Sequence, residues 1–256
     1  MNETEIKCLD HGFVKFIESW GSDERIIEAA RMSTGKGFLG WGPLHTEDCE
    51  QHPHSTSKQV HNEACCRGDK LGDEKLLRYL WENKHATPFE MAGVVIEVQA
   101  PIFVFREWHR HRTQSYNEMS ARYTPLPDVN YIPSVERLLI NAGTSNKQAG
   151  TVKDSAELTH TTAEFFIKEL QRAYAHAQEL YVHALQQGVP KELARIHLPV
   201  GRYSRMRASA NLRNWLAFLT LRMDSAAQFE IREYANAVAV ILRSSFPRTM
   251  ELFDAP

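Results

Sequence analysis

Hydrophobic positions change their spacing several times along the chain, and each change predicts an element. GVVIEVQA, residues 93 to 100, sets Val94, Ile96 and Val98 against Val95, Glu97 and Gln99, the two-residue period of a half-buried strand. Before it, residues 6 to 34 read as a short strand or turn followed by a helix with Ile26, Ile27, Ala29 and Ala30 as its apolar stripe. EKLLRYLWEN restores helical spacing from Asp73 to Asn83, with Leu76, Leu77 and Leu80 facing inward. Pro88, in the turn NKHATPFE, forbids its continuation. Pro101 opens IFVFREWHRH as a first-turn proline, and that helix runs on toward residue 110.

Residues 124 to 152 are loop-like, with Pro125, Pro127 and Pro133, and after them the chain is expected to be helical almost to its end. Leu158, Phe166, Leu170, Ala173, Ala177, Leu180 and Ala184 recur at three- and four-residue spacing until Gly188 and Pro190 close that helix and start another. A short helix around Arg195 stops at Pro199, and two more cover Leu212 to Leu221 and Phe229 to Leu242, before Pro247. Few strands and many helices, segregated in sequence, predict an α+β fold. The expected form is a central, mainly antiparallel sheet with a long C-terminal helical region. Residues 35 to 72 interrupt the pattern with six glycines, two prolines and no sustained period. They predict a flexible insertion in a single domain spanning 1–256.

Composition narrows the function. With 256 residues, 43% of them hydrophobic and 24% charged, the chain is ordinary for a globular protein. Thirty Lys+Arg against 32 Asp+Glu leave a formal charge of −2, so there is no basic excess to drive nonspecific binding to nucleic acid or a membrane surface. No apolar run reaches the roughly 20 residues of a membrane span, and no leader is legible, so a cytoplasmic protein is expected. Cys8, Cys49, Cys65 and Cys66 make no disulfide framework. Within the insertion, Cys49, His52, His54, His61, Cys65 and Cys66 do not match a standard zinc finger. No metal is assigned there.

The concentrated chemistry is RHRTQSYNEMSARY, residues 110 to 123, with four charged side chains and a single ordinary hydrophobe, Met119. Three arginines this close repel one another unless anions lie between them, so the segment is either a solvated helix end or a site for phosphate or carboxylate. On a continuous helix Arg110 and Arg112 would project about 200° apart. Either the helix frays here or the two grip different groups. Asn117 and Glu118 supply donors and acceptors for a base edge. Arg195 and Arg222 stand amid apolar residues and need specific partners. The chain has no glycine-rich phosphate loop, and no base can be assigned to Ser115 or Ser120.

Arg110-His111-Arg112, seven residues and then Ser120 resemble the RHRx7S signature of the flavin-dependent thymidylate synthases. AARMS at 29 to 33, HATPFE at 85 to 90, APIFVFREWHRHR at 100 to 112, ELARIHLP at 192 to 199 and NLRNWLAFLTLRMDS at 211 to 225 agree in order. The resemblance implies reductive methylation of dUMP to dTMP, with methylene-tetrahydrofolate as one-carbon donor and NADPH as reductant through FAD. It also implies a homotetramer with active sites at subunit interfaces. By this resemblance Glu107, Trp108, His109, Arg110, Glu118, Met119, Ser120, Ala121, Arg122, Arg195 and Arg222 bind dUMP. Ser33, Thr87, Arg110, His111, Arg112, Asn117, Glu118, Asn211 and Arg213 contact FAD. Arg222 favours an ionised uracil N3, and His85 lies near the flavin ring. Ala226 and Ala217 stand where many relatives carry polar groups toward FAD. Two alternatives stay open: a related flavin enzyme installing another C5 group on a pyrimidine nucleotide, and a noncatalytic nucleotide-binding protein.

Overall fold

The structure is a computed structural model that describes residues 5–41, 72–140, 150–151 and 157–255. Its sheet has five strands, β1 (Glu5–Cys8), β2 (Gly12–Trp20), β3 (Gly93–Pro101), β4 (Ser115–Glu118) and β5 (Tyr203–Asn211), in the order β1-β2-β3-β5-β4. The sheet is antiparallel, with β1 and β2 in register from Glu5 opposite Lys15 to Cys8 opposite Gly12. The helices among the described residues are α1 (Asp23–Arg31), α2 (Asp73–Glu82), α3 (Ile102–Trp108), α4 (Val135–Leu139), α5 (His160–Gln186), α6 (Lys191–Ala194), α7 (Leu212–Arg222), α8 (Phe229–Ser245) and α9 (Pro247–Asp254). The α+β class expected from the sequence is the class observed. No helix among the described residues is long and apolar enough to cross a membrane.

Strand β3 follows its sequence closely. Val94, Ile96, Val98 and Ala100 are fully buried, while Val95, Glu97 and Gln99 are half-buried. Strand β5 corrects the expectation of a helical carboxyl half. Ser204, Met206, Ala208 and Ala210 face inward and alternate with Arg205, Arg207 and Ser209. Met, Arg and Ala favour helix in isolation, so the strand is imposed by pairing and burial rather than by propensity. Before α1, where a short strand or turn was expected, the chain forms two strands, β1 and the nine-residue β2.

Three helix limits also differ from expectation. Pro101 caps α3 from outside instead of opening its first turn, and its extended ψ of 145° starts the helix one residue later. Pro247 begins α9 rather than ending the helical region. Along α5 only Ala163 and Tyr181 are buried, and Phe166 and Leu180, two of its expected core residues, are each 47% exposed. Leu158 falls outside that helix, and α4 lies within the stretch read as loop. The helical spacing was real, but among the described residues the stripe stays largely uncovered.

The chain divides into two compact units. The first comprises Met1–Phe16, Ile96–Ala208 and Leu219–Val238. There Tyr234 donates its hydroxyl to the Gln99 carbonyl at 2.9 Å. Gly12 admits it, because a Cβ at that position would come 1.9 Å from the Tyr234 oxygen. The second comprises Ile17–Val95, Ser209–Phe218 and Ala239–Pro256. Its core includes Ile26, Leu77, Phe89, Trp215, Phe218 and Phe246, each contributing on the order of 2–3 kcal/mol of burial. Asp23, itself buried, accepts the main-chain N–H groups of Arg248 at 2.9 Å and Thr249 at 3.1 Å and so caps α9. The fully buried Asp73 carboxylate binds Arg31 and accepts from the amides of Leu39 at 2.7 Å and Gly40 at 3.2 Å.

Candidate active site

In the first unit, the RHR segment resolves the question its spacing raised. Helix α3 ends at Trp108, and His109 caps it by donating its amide to the Phe105 carbonyl at 2.8 Å. A turn follows, with amides of Arg110 to Glu107 at 3.2 Å and His111 to Trp108 at 3.0 Å. Arg110 and Arg112 therefore leave a frayed helix end, both exposed, with no ion pair among the described residues. Tyr116 fixes this turn from below, donating to the carbonyls of His111 at 2.8 Å and Trp108 at 3.2 Å. Burial pushes its phenol well above the usual range, so the hydroxyl stays a donor.

Strand β4 then carries Asn117 and Glu118, both exposed, and Met119 donates its amide to Arg205 at 2.7 Å. Ser120 starts the next turn, and its Oγ accepts from the Arg122 amide at 3.3 Å. Trp108 is fully buried, and its indole N–H is given to Gln114 at 3.0 Å. Any contact it makes with a ligand would come from its main chain.

Two constellations emerge. One is a cleft of about 620 Å³ whose walls include His109, Glu118, Met119, Ser120, Ala121 and Arg195, six positions named from the sequence. Arg106 and Glu192 also line it. Sequence reasoning missed both, although Arg106 sits three residues before His109 and so on the same helical face. Arg106 and Arg195 make no ion pair among the described residues, whereas Arg122 lies 3.6 Å from Glu192 in an exposed pair.

The second constellation gathers at the end of α7. Arg222 donates Nε to His111 Nε2 at 2.9 Å, Nη1 to Glu107 Oε2 at 2.6 Å and Nη2 to the Glu107 carbonyl at 3.1 Å. To accept from Arg222, His111 must be unprotonated at Nε2. Burial first, and the Arg222 charge second, push the His111 imidazole down to about 4. A fixed cation held by a carboxylate and a neutral imidazole is an arrangement suited to stabilising charge that develops beside it.

The second unit carries the remaining predicted positions. His85 and Thr87 line a hollow of about 370 Å³ with Ala29, Ala30, Leu80, Ala86, Pro88 and Met91. Ser33 is exposed and donates to the Ala30 carbonyl at 3.2 Å. Asn211 accepts the Asn214 amide at 3.0 Å, and Arg213 pairs with Glu90. Ala217 here and Ala226 in the first unit are both exposed. Among the described residues no group of three or more His, Cys, Asp or Glu side chains could hold a metal. Cys49, Cys65, Cys66 and the histidines of the insertion lie outside the described residues.

The chain is similar to known proteins over nearly its whole length. It is 35% identical over 249 residues to a flavin-dependent thymidylate synthase of Anaplasma marginale, covering 97% of this chain and 74% of that one. It is 34% identical over 249 residues to the enzyme of that name from Thermosipho africanus, covering 97% and 93%. A model of the thymidylate synthase complementing protein family matches residues 15–248. This chain belongs to the flavin-dependent thymidylate synthases.

Like others of the flavin-dependent thymidylate synthase family, it is an enzyme of the methyltransferase type. Among solved structures it is similar to the UMP/dUMP methylase PolB of Streptomyces cacaoi. With 5-Br UMP bound, that structure has a TM-score of 0.73 and 27% identity over 97% of this chain and 96% of that one. With 5-Br dUMP bound, it has a TM-score of 0.72 and 30% identity over 97% of each.

Proposed function

We propose that this chain catalyses the reductive methylation of dUMP to dTMP, with methylene-tetrahydrofolate as the one-carbon donor and NADPH as the reductant through FAD. The observation that carries the reading is the guanidinium of Arg222, fixed by Glu107 and a neutral His111, which lie respectively one residue from the cleft-lining Arg106 and two from the cleft-lining His109. In the proposed reaction Arg222 stabilises negative charge at uracil N3. Arg195 binds the phosphate, and Glu118, Ser120 and the main chain of Met119 and Ala121 orient the nucleoside. Glu107, Trp108, His109, Arg110 and Arg122 complete the dUMP site.

The donor set suits FAD. Arg110 and Arg112 are exposed guanidiniums with no ion pair among the described residues, which leaves both free to meet a pyrophosphate, and the exposed Asn117 and Glu118 follow on β4. His111 completes these contacts, and the family resemblance assigns Ser33, Thr87, Asn211 and Arg213 to the cofactor as well, with His85 near its ring. When bound, the flavin supplies hydride transfer. The protein supplies no nucleophile from its described residues. Burial pushes the Cys8 thiol up to about 12, which keeps it protonated, and the Ser120 Oγ accepts from the Arg122 amide.

The reading treats 1–256 as one catalytic domain with an insertion at 35–72, working as a cytoplasmic homotetramer with active sites where subunits meet. Ile196 and Val200 line the cleft yet are 79% and 59% exposed, a surface that a second copy would cover.

The test is direct. The purified protein should be yellow, oxidise NADPH faster when dUMP is added, and convert dUMP to a product with the mass of dTMP. Protein that contains no flavin and cannot be reconstituted would end the reading. A product with the mass of a hydroxymethyl nucleotide would replace methylation with another C5 transfer.

A further inference from the structure

Behind one wall of the cleft lies a cation that the proposed reaction does not use. Arg202 follows Gly201 just before β5, and its side chain is 1% exposed. Its main-chain carbonyl accepts from Ile102 at 2.9 Å, and its Nη2 donates to the Leu126 carbonyl at 3.1 Å. Val200 and Ser204 lie two residues to either side of it. Ile102, Leu126, Val200 and Ser204 all line the cleft, so Arg202 stands immediately behind that wall.

Its charge is poorly compensated. The nearest carboxylate is Asp128, 3.8 Å away and 51% exposed, and water screens the field of a carboxylate placed so. The Tyr181 ring lies 5.8 Å from the guanidinium carbon. Among the described residues the buried Arg202 Nε has no hydrogen-bond partner, nor has the buried Ser204 hydroxyl two residues on. Burial lowers the affinity of Arg202 for its proton, but an arginine keeps it. A buried and half-compensated cation is destabilising unless something offsets it. An anion in the adjoining cleft is such an offset.

We propose that Arg202 is a specificity residue: from behind the wall that carries Leu126, its field makes the cleft prefer phosphorylated ligands over their uncharged nucleosides. The proposal rests on the cleft being the nucleotide site argued above, and it adds a determinant outside the contacts assigned there. Asp128 is the opposing element, since it takes up part of the charge that the anion would otherwise feel.

The two residues give the experiment its sign. Arg202→Gln and Asp128→Asn both break the same pair, so a merely structural clamp predicts the same direction for both. The electrostatic role predicts opposite directions. Dissociation constants for dUMP, deoxyuridine and inorganic phosphate are to be measured for the wild type, both variants and Arg202→Lys. We expect Arg202→Gln to weaken dUMP and phosphate about three- to tenfold, and Asp128→Asn to tighten both about twofold. Deoxyuridine should be unchanged throughout, and Arg202→Lys should keep the phosphate preference. If both neutral variants weaken dUMP and deoxyuridine alike, the proposal is overturned. If Arg202→Gln does not fold, Asp128→Asn decides alone: tighter phosphate supports the proposal and unchanged or weaker phosphate refutes it. If phosphate follows the expected pattern while dUMP does not bind, the proposal stands and the assignment of dUMP falls.

Discussion

The first unit holds its arginines in two ways. Arg222 is 17% exposed and donates three hydrogen bonds into Glu107 and His111. Arg106 and Arg195, on the cleft, make no ion pair among the described residues. The first arrangement fixes orientation before any ligand arrives, so binding need not order the side chain. The second leaves charge for a ligand to neutralise. A group that stabilises a transition state gains from the first, and a group that captures a phosphate gains from the second.

The contrast can be broken at several points. Arg222→Ala has the largest expected effect: kcat for dTMP formation should fall about 10²–10³-fold with a smaller change in KM for dUMP. A variant with normal kcat would show that the preset guanidinium plays no part in the chemistry. Arg195→Ala should act on the other side, raising KM for dUMP about 10–100-fold and leaving kcat within a few-fold. A large fall in kcat with unchanged KM would merge the two classes.

A third test uses acid. The folded imidazole of His111 titrates near 4 against 6.5 for the free side chain, so between those values the unfolded chain binds more protons and stability falls as pH falls. Above 6.5 the contribution is complete. Allowing for solvent around a half-exposed ring, it amounts to about 1–2 kcal/mol. Melting temperature measured from pH 7 to pH 4 should fall less steeply in His111→Gln than in the wild type, and identical slopes would remove His111 from the lock. Arg122→Ala should have the smallest effect, because its pair with Glu192 is open to water. Its melting temperature should stay within about 1–2 °C of wild type, as expected for an exposed ion pair.

What could be read from the sequence followed from how local the cause was. Strand β3 announced itself because every second side chain is branched and apolar. Strand β5 did not, since Met206, Ala208 and Ala210 fit a buried sheet face only when its neighbours are known. The end of α3 was left open by the sequence and settled by Tyr116, which holds the turn from a strand eight residues away. The positions Ser120, Glu118 and Arg195 came from motif order, and their meeting in one cleft required the fold. Arg202 carried no pattern at all, because burial of a single arginine depends on Leu126, Asp128 and Tyr181, which are distant in sequence.

The neck formed by Asp73 has a consequence for how this chain tolerates change. Its carboxylate ties Leu39 and Gly40, and its own amide donates to the Gly40 carbonyl at 2.7 Å, so the two ends of residues 42–71 are stapled together by atoms outside that stretch. A junction closed in this way pays its ordering cost locally, and the length of chain hung from it then matters only logarithmically. It is a docking port in the covalent sense: a place where evolution, or a designer, can splice in foreign sequence with little disturbance to Ser33 and His85 on either side.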